Sequence, residues 1–398
     1  MNLCGIICEY NPLHNGHVRH IEYARRSSGC DHIVCVMSGS FVQRGEPSVM
    51  DKYSRARHAV LAGADIVLEL PFCAIAGGAD DFALTAVRIL KAMGTNSVSF
   101  GCETDDLPLL KTAAHSLLFP SDNQRSLLKS ALSSGLSYPS ALATAFPEYS
   151  ALLSCPNNTL AIAYIKAAEK ENFRPSWFPL KRYGSHHDLA LSEIPSSAAV
   201  RNALSALRNT PSENERLSLS ARLEKALPPF VFSQKDITLD LSLYEKFIYS
   251  FVQTLTPEKL SDIYGVTEGL ENRIMKFSGL NNYYEFITAV KTRRYTLLRL
   301  KRILMCAAVG YDKILAAKVK ELPVHSRVLA VKKDALNPLM RRFGESGLDC
   351  PVLSVRSPGE DIRADAARID LRATALRNSL SLKNEKNEFS PLQIIPTI

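Results

Sequence analysis

The first half of the chain alternates short apolar runs with amphipathic segments. The apolar runs at residues 3–8, 32–37, 66–70, 97–100 and 176–180 are rich in β-branched residues and predict strands. The segments at 17–26, 52–62, 80–93 and 159–171 have the spacing of amphipathic helices. Continuous apolar runs separated by helices are typical of a parallel sheet that is covered on both faces. The pattern therefore predicts an open, doubly wound α/β domain of the Rossmann type, whose ligand lies beyond the carboxyl ends of the strands.

The pattern changes near residue 200. Residues 241–309 have helical spacing throughout, and a last unit follows with a strand at 328–331, a helix at 337–343 and a second strand at 351–355. Residues 383–398 have the composition of a loosely ordered tail. We therefore divide the chain into an α/β domain at 1–205, a mainly helical domain at 206–320, and a small β-α-β unit with the C-terminal tail at 321–398.

Composition excludes several classes of protein. The chain has 398 residues, of which 46% are hydrophobic and 22% charged, so it is a globular protein and not a disordered, collagenous or disulfide-rich one. The most apolar stretch, at 60–79, is interrupted by Asp65 and Glu69, so no membrane span is predicted. The net charge of +8 suits a polyanionic partner.

The cysteines and the N-terminus both bear on the compartment. Nine cysteines form no C-x-x-C pair and no Cys/His cluster with zinc spacing, which indicates a reducing compartment and no structural zinc. No basic residue precedes Arg19, which is not typical of a signal peptide. We therefore expect a cytoplasmic protein.

One polar segment lies between the first predicted strand and the first predicted helix, with the sequence Cys-Glu-Tyr-Asn-Pro-Leu-His-Asn-Gly-His at 8–17. A strand-loop-helix junction directs backbone N–H groups and the positive helix end at its ligand, which favours phosphate. Gly16 allows a close backbone approach, and His14 and His17 can donate hydrogen bonds to phosphate oxygens during phosphoryl chemistry. A polar turn with two surface histidines is the simpler interpretation, but the surrounding strand, Pro12, Gly16 and helix favour a phosphate site.

These residues resemble a known family. His14-Asn15-Gly16-His17 resembles the H-x-G-H signature of the nucleotidyltransferase superfamily, which includes the class I aminoacyl-tRNA synthetases. The longer string at 9–17 resembles the tRNA(Met) cytidine acetate ligases. The resemblance continues at 38–47, 63–65, 99–101, 156–158, Arg182 with His187-Asp188, 264–273 and 291–296. The family's second signature has threonine where this chain has Ala198, within Ser-Ser-Ala-Ala-Val-Arg at 196–201, so Ala198 is excluded as a site residue.

The resemblance implies an ATP-dependent ligase. It would activate acetate as acetyl-adenylate with release of pyrophosphate, then transfer acetyl to N4 of the wobble cytidine of elongator tRNA(Met), giving N4-acetylcytidine and AMP. His14 and His17 would be catalytic, and Mg²⁺ would be held mainly by the ATP phosphates, with no protein ligand assigned to it. The implied nucleotide-binding residues are Ile7, Cys8, Glu9, Tyr10, Asn11, Pro12, Leu13, His14, Asn15, Gly16, His17, Val18, Arg19, His20, Gly101, Asn157, Asn158 and Arg182.

Several of these residues also have a purely structural interpretation. Gly101 could be an ordinary turn glycine, Asn158 could cap the helix that follows it, and a lone Arg182 could be a solvated surface charge. The polar, glycine-containing residues 38–46 predict a mobile loop near the same edge of the sheet.

A basic segment lies in the helical domain. Six cations fall within residues 291–302, and apolar residues at 295–304 are interleaved with them, which predicts one amphipathic helix with cationic flanks. A solvated helix face is the default interpretation, whereas a clamp for tRNA phosphates is expected if the upstream site acts on tRNA. The predicted RNA-binding residues are Lys291, Arg293, Arg294, Arg299, Lys301 and Arg302.

Two other functions remain open from the sequence. One is a small-molecule adenylyltransferase of the same superfamily, against which the basic helical domain argues. The other is a non-catalytic RNA-binding protein with a vestigial nucleotide site, which Ala198 favours.

Overall fold

Strands and helices alternate through the first part of the chain, and helices dominate the remainder. The computed structural model describes residues 1–182, 191–235, 238–267, 269–349, 362–381 and 392–396. Its strands are β1 (Leu3–Cys8), β2 (His32–Ser38), β3 (Phe41–Val42), β4 (Glu46–Pro47), β5 (Ile66–Leu70), β6 (Ser97–Cys102), β7 (Ser176–Lys181), β8 (Val328–Lys332) and β9 (Gln393–Ile395).

The helices fall into two groups. The α/β part contains α1 (Asn15–Ser28), α2 (Lys52–Leu61), α3 (Phe72–Ala76), α4 (Ala79–Ala92), α5 (Leu107–Leu118), α6 (Asp122–Ser133), α7 (Tyr138–Ala145), α8 (Ser150–Leu153), α9 (Pro156–Lys170) and α10 (Ser197–Asn209). The rest of the chain contains α11 (Glu213–Ala226), α12 (Pro229–Phe232), α13 (Leu241–Val252), α14 (Pro257–Asp262), α15 (Leu270–Phe277), α16 (Tyr283–Val290), α17 (Leu297–Val309), α18 (Lys313–Lys320), α19 (Leu336–Glu345) and α20 (Ile362–Ser379). No helix of the described residues is long and apolar enough to cross a membrane.

The central sheet has seven strands in the order β7-β6-β1-β2-β5-β8-β9. All neighbouring pairs are parallel except β5 and β8, which are antiparallel. The chain runs from β1 outward through β2 and β5, and then returns to the other side of β1 to form β6. The doubly wound, mainly parallel fold predicted from the sequence is confirmed, and its topological switch point lies between β1 and β6.

Both faces of the sheet are buried, which explains the continuous apolar runs. Val34 and Val36 of β2 pack into one core together with α4 and α9. Ile33 and Cys35 point to the opposite face and pack with α1 and α2. Because successive side chains of a strand alternate between two covered faces, no polar alternation is left in the sequence.

The larger core is continuous from the sheet into the helical part of the chain. Tyr244 of α13, Leu300 of α17 and Tyr311 are buried in the same cluster as Val34 and Val36. The division of the chain at residues 205 and 320 stays a prediction.

The last part of the chain adds two strands to the central sheet. The strand predicted at 328–331 is β8, which pairs with β5, and the second predicted strand at 351–355 lies outside the described residues. The loosely ordered tail predicted at 383–398 is wrong at 393–395, since these residues form β9 beside β8. Gln393 Nε2 donates to the Tyr53 carbonyl at 2.8 Å and Ile395 is buried, so the strand is fixed to α2 and the sheet.

Residues 41–47 form a packed hairpin that overlaps the segment 38–46, for which a mobile loop is predicted. Strand β3 pairs with β4 in antiparallel register, and the ring of Phe41 is buried in edge contacts with Phe72 and Tyr244 at 6.0 and 5.8 Å. Strands of two residues are too short to leave a period in the sequence, which is why the pattern predicted a loop.

Helix α20 holds both flanks of this hairpin. Arg377, whose side chain is fully buried, donates from Nε to the Ser48 carbonyl and from Nη2 to the Val49 carbonyl, each at 3.1 Å. Thr374 Oγ1 lies 2.8 Å from Ser40 Oγ. Helix α20, near the C-terminal end of the described chain, therefore packs against the residues on either side of the hairpin.

Helix α17 begins at Leu297, so the single helix predicted across 291–304 is wrong over its first six residues. Thr296 is the N-cap, and its Oγ1 accepts from Arg299 N at 3.4 Å. Upstream, Thr292 Oγ1 accepts from Tyr295 N at 3.0 Å, which forms a turn. The apolar spacing continues across this boundary, so periodicity alone could not locate the helix start.

Candidate active site

The loop between β1 and α1 ends in a reciprocal pair of histidines. His14 is the N-cap of α1: its Nδ1 accepts from Gly16 N at 3.2 Å, and its own N–H donates to His17 Nδ1 at 3.3 Å. Each Nδ1 therefore acts as an acceptor. A neutral imidazole carries one proton, so both rings carry it on Nε2.

Three histidines follow one another along the first turns of α1. The rings of His14 and His17 are stacked with centroids 3.7 Å apart, and the ring of Tyr10 lies edge-on to His17 at 4.9 Å. His20 Nε2 lies 3.0 Å from Ser99 Oγ on β6. Because residues three apart share a helix face, these rings line the switch point between β1 and β6.

Burial keeps these histidines neutral. Burial, with smaller contributions from the guanidinium groups of Arg182 and Arg201, lowers the pKa of His14 to about 3. Burial and Arg182 lower the pKa of His20 to about 4. The pKa of His17 is lowered well below its usual range by burial, by His14 and by Arg182. At neutral pH the three rings therefore act as uncharged hydrogen-bond donors.

The second signature lies against the first. Ser196 is the N-cap of α10, and Ser197, at the helix start, places its Oγ 3.1 Å from His14 Nε2. Arg201 donates from Nη1 to the Asn11 carbonyl at 2.9 Å. The N-termini of α1 and α10 thus meet at one place, where their dipoles favour an anion. The site residues predicted from the sequence include neither Ser197 nor Arg201, although the second signature retains Arg201 and offers the Ser197 hydroxyl in place of the one missing at Ala198.

The end of β6 brings three of the sequence-predicted residues together. A Cβ on Gly101 would lie 3.4 Å from the Arg182 side chain, and Arg182 N donates to the Cys102 carbonyl at 2.9 Å. The Arg182 guanidinium donates from Nη1 to Asn157 Oδ1 at 3.2 Å. Arg182 is therefore not a solvated surface charge.

Glu103, which sequence reasoning missed, organises the adjoining turn. Its Oε1 accepts from Asn157 Nδ2 at 2.7 Å and its Oε2 accepts from Asn158 N at 2.8 Å, so Glu103 satisfies the start of α9. Asn158 does not cap its own helix: its Oδ1 accepts from the backbone N–H groups of Glu103 and Thr104 at 2.9 and 3.1 Å. The residues are 54 and 55 positions apart, and no local signal joins them.

The other residues of the predicted nucleotide loop divide by position. Tyr10, Leu13 and Val18 pack into the core beneath the loop, together with Cys8, and Ile7 packs on the opposite core. Asn11 and Pro12, joined by a cis peptide bond, are buried. Asn15 Nδ2 donates to the Lys225 carbonyl at 2.8 Å, and Glu9 Oε1 accepts from Gln43 N at 2.7 Å. Arg19 is exposed. Most of these residues shape the loop rather than line the switch point.

The six predicted RNA-binding cations do not form one surface. Lys291 and Arg293 are exposed and Arg294 is half-buried, in the turn before α17. The other three contact the protein itself: Arg299 donates to Thr267 Oγ1 at 3.1 Å, Lys301 pairs with Glu46 at 3.2 Å, and Arg302 donates to the Gln43 carbonyl at 3.2 Å. Of the six cations, Lys291 and Arg293 are therefore the exposed ones. Within the described part of the chain, no group of three or more His, Cys, Asp or Glu side chains is placed to hold a metal ion.

The comparisons with known proteins identify the family of this chain. The HIGH Nucleotidyl Transferase family model matches residues 1–390, which defines the class of this fold and site. The tRNA(Met) cytidine acetate ligase of Acetivibrio thermocellus is 33% identical over 396 residues, covering 92% of this chain and 94% of the relative. That of Alkaliphilus metalliredigens is 36% identical, covering 98% and 96%. The chain belongs to the tRNA(Met) cytidine acetate ligase family.

Solved structures of similar proteins extend the comparison to three dimensions. The apo form of Thermotoga maritima TmcAL matches with a TM-score of 0.88 and 26% identity, covering 100% of both chains. A second crystal form of that protein, bound with alpha-thio ATP, matches with a TM-score of 0.83 and 28% identity, covering 96% of this chain and 95% of that one.

Proposed function

We propose that this chain is an ATP-dependent ligase that makes N4-acetylcytidine in elongator tRNA(Met). It activates acetate as acetyl-adenylate, releases pyrophosphate, and transfers acetyl to N4 of the wobble cytidine, leaving AMP. The hydrogen bond between His14 and Ser197 carries the proposal, because it joins the two signature segments into one anion-binding place at two helix N-termini.

The first half-reaction uses the neutral histidines as donors. The acetate oxygen attacks the α-phosphorus of ATP, the bond to the bridging oxygen breaks, and pyrophosphate leaves. Charge that builds up on the phosphate oxygens is stabilised by His17 Nε2–H and by the N-terminus of α1, which are already in place before the reaction. Gly101, Asn157 and Arg182 bind the adenosine side, and we propose that the phosphate oxygens hold most of the Mg²⁺ coordination.

The second half-reaction needs the RNA beside the adenylate. The cations in the turn at 291–294, of which Lys291 and Arg293 are exposed, bind tRNA phosphates near the hairpin at 41–47, which contacts α17. The amine of the cytidine then attacks the acetyl carbonyl directly. Because the two reactants are held together, the activation barrier is lowered by several kcal/mol, on the order of 7–11 kcal/mol in well-oriented systems. We place this reaction in the cytoplasm.

One incubation tests the function against its alternatives. The purified chain is given ATP, labelled acetate and tRNA, and the products are separated into RNA and small molecules. Label in N4-acetylcytidine supports the proposal. Label in a small adenylate alone would favour a small-molecule enzyme, and label in neither would favour a non-catalytic RNA-binding protein.

A further inference from the structure

Glu9 lies where the nucleotide loop meets the hairpin. One oxygen of its carboxylate is fixed, because Oε1 accepts from Gln43 N at 2.7 Å. The backbone carbonyl of Glu9 accepts from Arg55 Nη1 at 2.6 Å. Among the residues that the structure describes, none donates to Oε2. The Glu9 side chain is half-buried, so its carboxylate is fixed in position while still accessible to a substrate.

Gln43 connects Glu9 to the helix that follows the cationic turn. The Gln43 carbonyl accepts from Arg302 Nη1 at 3.2 Å. Gly45, with φ +78°, lies so close to α17 that an added Cβ would be 2.5 Å from Arg302 N. Glu9 is therefore joined through Gln43 to α17, which follows the cationic turn, and along its own chain to the H-x-G-H loop.

The titratable groups around Glu9 come from five elements of the structure. Arg44 on the hairpin, Arg55 on α2 and Arg201 on α10 favour the ionised carboxylate, whereas the Tyr164 hydroxyl on α9 and the Cys8 thiol on β1 are un-ionised neighbours. Burial is the largest effect and raises the pKa of the Glu9 carboxyl. A carboxylate shifted in this direction is a better proton acceptor near neutral pH than an ordinary surface glutamate.

The two signature histidines are poorly placed to take a proton. Nδ1 of His14 accepts from Gly16 N and Nδ1 of His17 accepts from His14 N, while both Nε2 atoms carry the proton. Neither ring has an open basic nitrogen. The exocyclic amine of cytidine must nevertheless lose a proton as it becomes an amide.

We propose that Glu9 is the catalytic residue that accepts the proton of the attacking cytidine amine. N4 forms a bond to the acetyl carbonyl carbon, the bond from that carbon to the phosphate oxygen breaks, and its electron pair stays on AMP. The proton lost by N4 goes to Glu9 Oε2 and then to solvent. This inference rests on the proposed function and assigns a residue to its second step.

Single-turnover acetyl transfer tests the role. Enzyme carrying preformed acetyl-adenylate is mixed with tRNA(Met) transcript, and acetyl incorporation is followed as a function of pH. Glu9→Gln keeps the size of the side chain and an acceptor for Gln43 N but removes the basic group. We expect transfer to fall by about 10²–10⁴-fold, far more than acetate-dependent pyrophosphate release, and the decline of the rate toward acid pH to disappear.

Two further variants control the experiment. Glu46→Gln removes a carboxylate from the same hairpin, one that pairs with Lys301, and should keep wild-type transfer and its acid decline. Glu9→Asp should recover part of the rate together with the acid decline. If Glu9→Gln transfers like Glu46→Gln, retains the acid decline, or loses both half-reactions equally, the assignment is wrong. Absence of acetate-dependent pyrophosphate release from the wild type would instead contradict the proposed function, and this inference would fall with it.

Discussion

His14 Nε2 lies 3.1 Å from Ser197 Oγ, although 183 residues separate the two side chains. Since Nε2 carries the proton of the neutral ring, His14 donates and the hydroxyl accepts. The bond fixes the ring on which His17 is stacked. In this chain, a hydroxyl of the second signature therefore orients a histidine of the first signature.

Ser197→Ala should lower acetate-dependent pyrophosphate release by about 2–13-fold, the equivalent of one hydrogen bond of about 0.5–1.5 kcal/mol. Ser205→Ala removes an exposed hydroxyl from the same helix and should leave the rate unchanged. Equal rates for both variants would show that the His14 contact has no part in catalysis.

His17→Ala should lower adenylate formation by roughly 10²–10³-fold, because it removes one preorganised donor to the developing phosphate charge. Pyrophosphate release by the purified variant measures this, and far-ultraviolet circular dichroism checks the fold. His115→Ala, which changes an exposed histidine on α5, is the matched control. Near-normal release from His17→Ala would remove His17 from the site.

The stability of the nucleotide-free chain should fall as the pH is lowered from about 6.5. The pKa of His14 is about 3 in the folded chain and near 6.5 when unfolded, so between these values the unfolded state binds more protons. The stability due to this group is present above pH 6.5 and decreases by about 1.4 kcal/mol per pH unit below it. Urea unfolding at pH 7.5 and 5.5 measures the loss, which should be smaller in His14→Gln. An equal pH dependence in both proteins would contradict the assigned shift.

Arg293→Ala together with Arg294→Ala should weaken tRNA binding and leave ATP affinity almost unchanged. These side chains precede α17 and lie outside the loop that surrounds His14. For each phosphate that the variant no longer neutralises, the slope of log K against log salt should decrease by about 0.7–0.9. Arg125→Ala, on the exposed face of α6, serves as the control. If both proteins give the same slope and affinity, residues 291–294 are a solvated surface.

Acetyl transfer should need no cysteine. Burial raises the pKa of Cys102 to about 12 and that of Cys8 well above its usual value, so neither thiol is a ready nucleophile. The double variant Cys8→Ser, Cys102→Ser should retain most tRNA acetylation. Loss of transfer with adenylate formation preserved would show that a thiol carries the acetyl group.

The parallel core was predictable because burial on both faces leaves an unmistakable apolar run. The five strands at 3–8, 32–38, 66–70, 97–102 and 176–181 all agree with the sequence pattern to within two residues. The position of the first loop, between β1 and α1, was predictable for a different reason, since the residues that signal it are adjacent in the chain.

The contacts that were not predicted join residues far apart. Glu103 accepts a hydrogen bond from Asn157, 54 residues away. The antiparallel strand β8 pairs with β5, from which more than 250 residues separate it. Such contacts depend on tertiary packing, to which neither helical nor strand periodicity responds. The start of α17 is hidden for a related reason, because Tyr295 is buried on the same side as the helix that follows it.

The two hydrogen bonds from Arg377 to the Ser48 and Val49 carbonyls can form only late in translation. Arg377 is made 329 residues after Ser48, which at about 5–20 residues per second is a delay of roughly 16–66 seconds. For that time the hairpin flank has neither its guanidinium partner nor the rest of α20. A ribosome-bound chain should thus have the H-x-G-H loop before α20 makes its contacts with the hairpin flank. Nascent chains stalled before residue 362 should therefore fail to make adenylate.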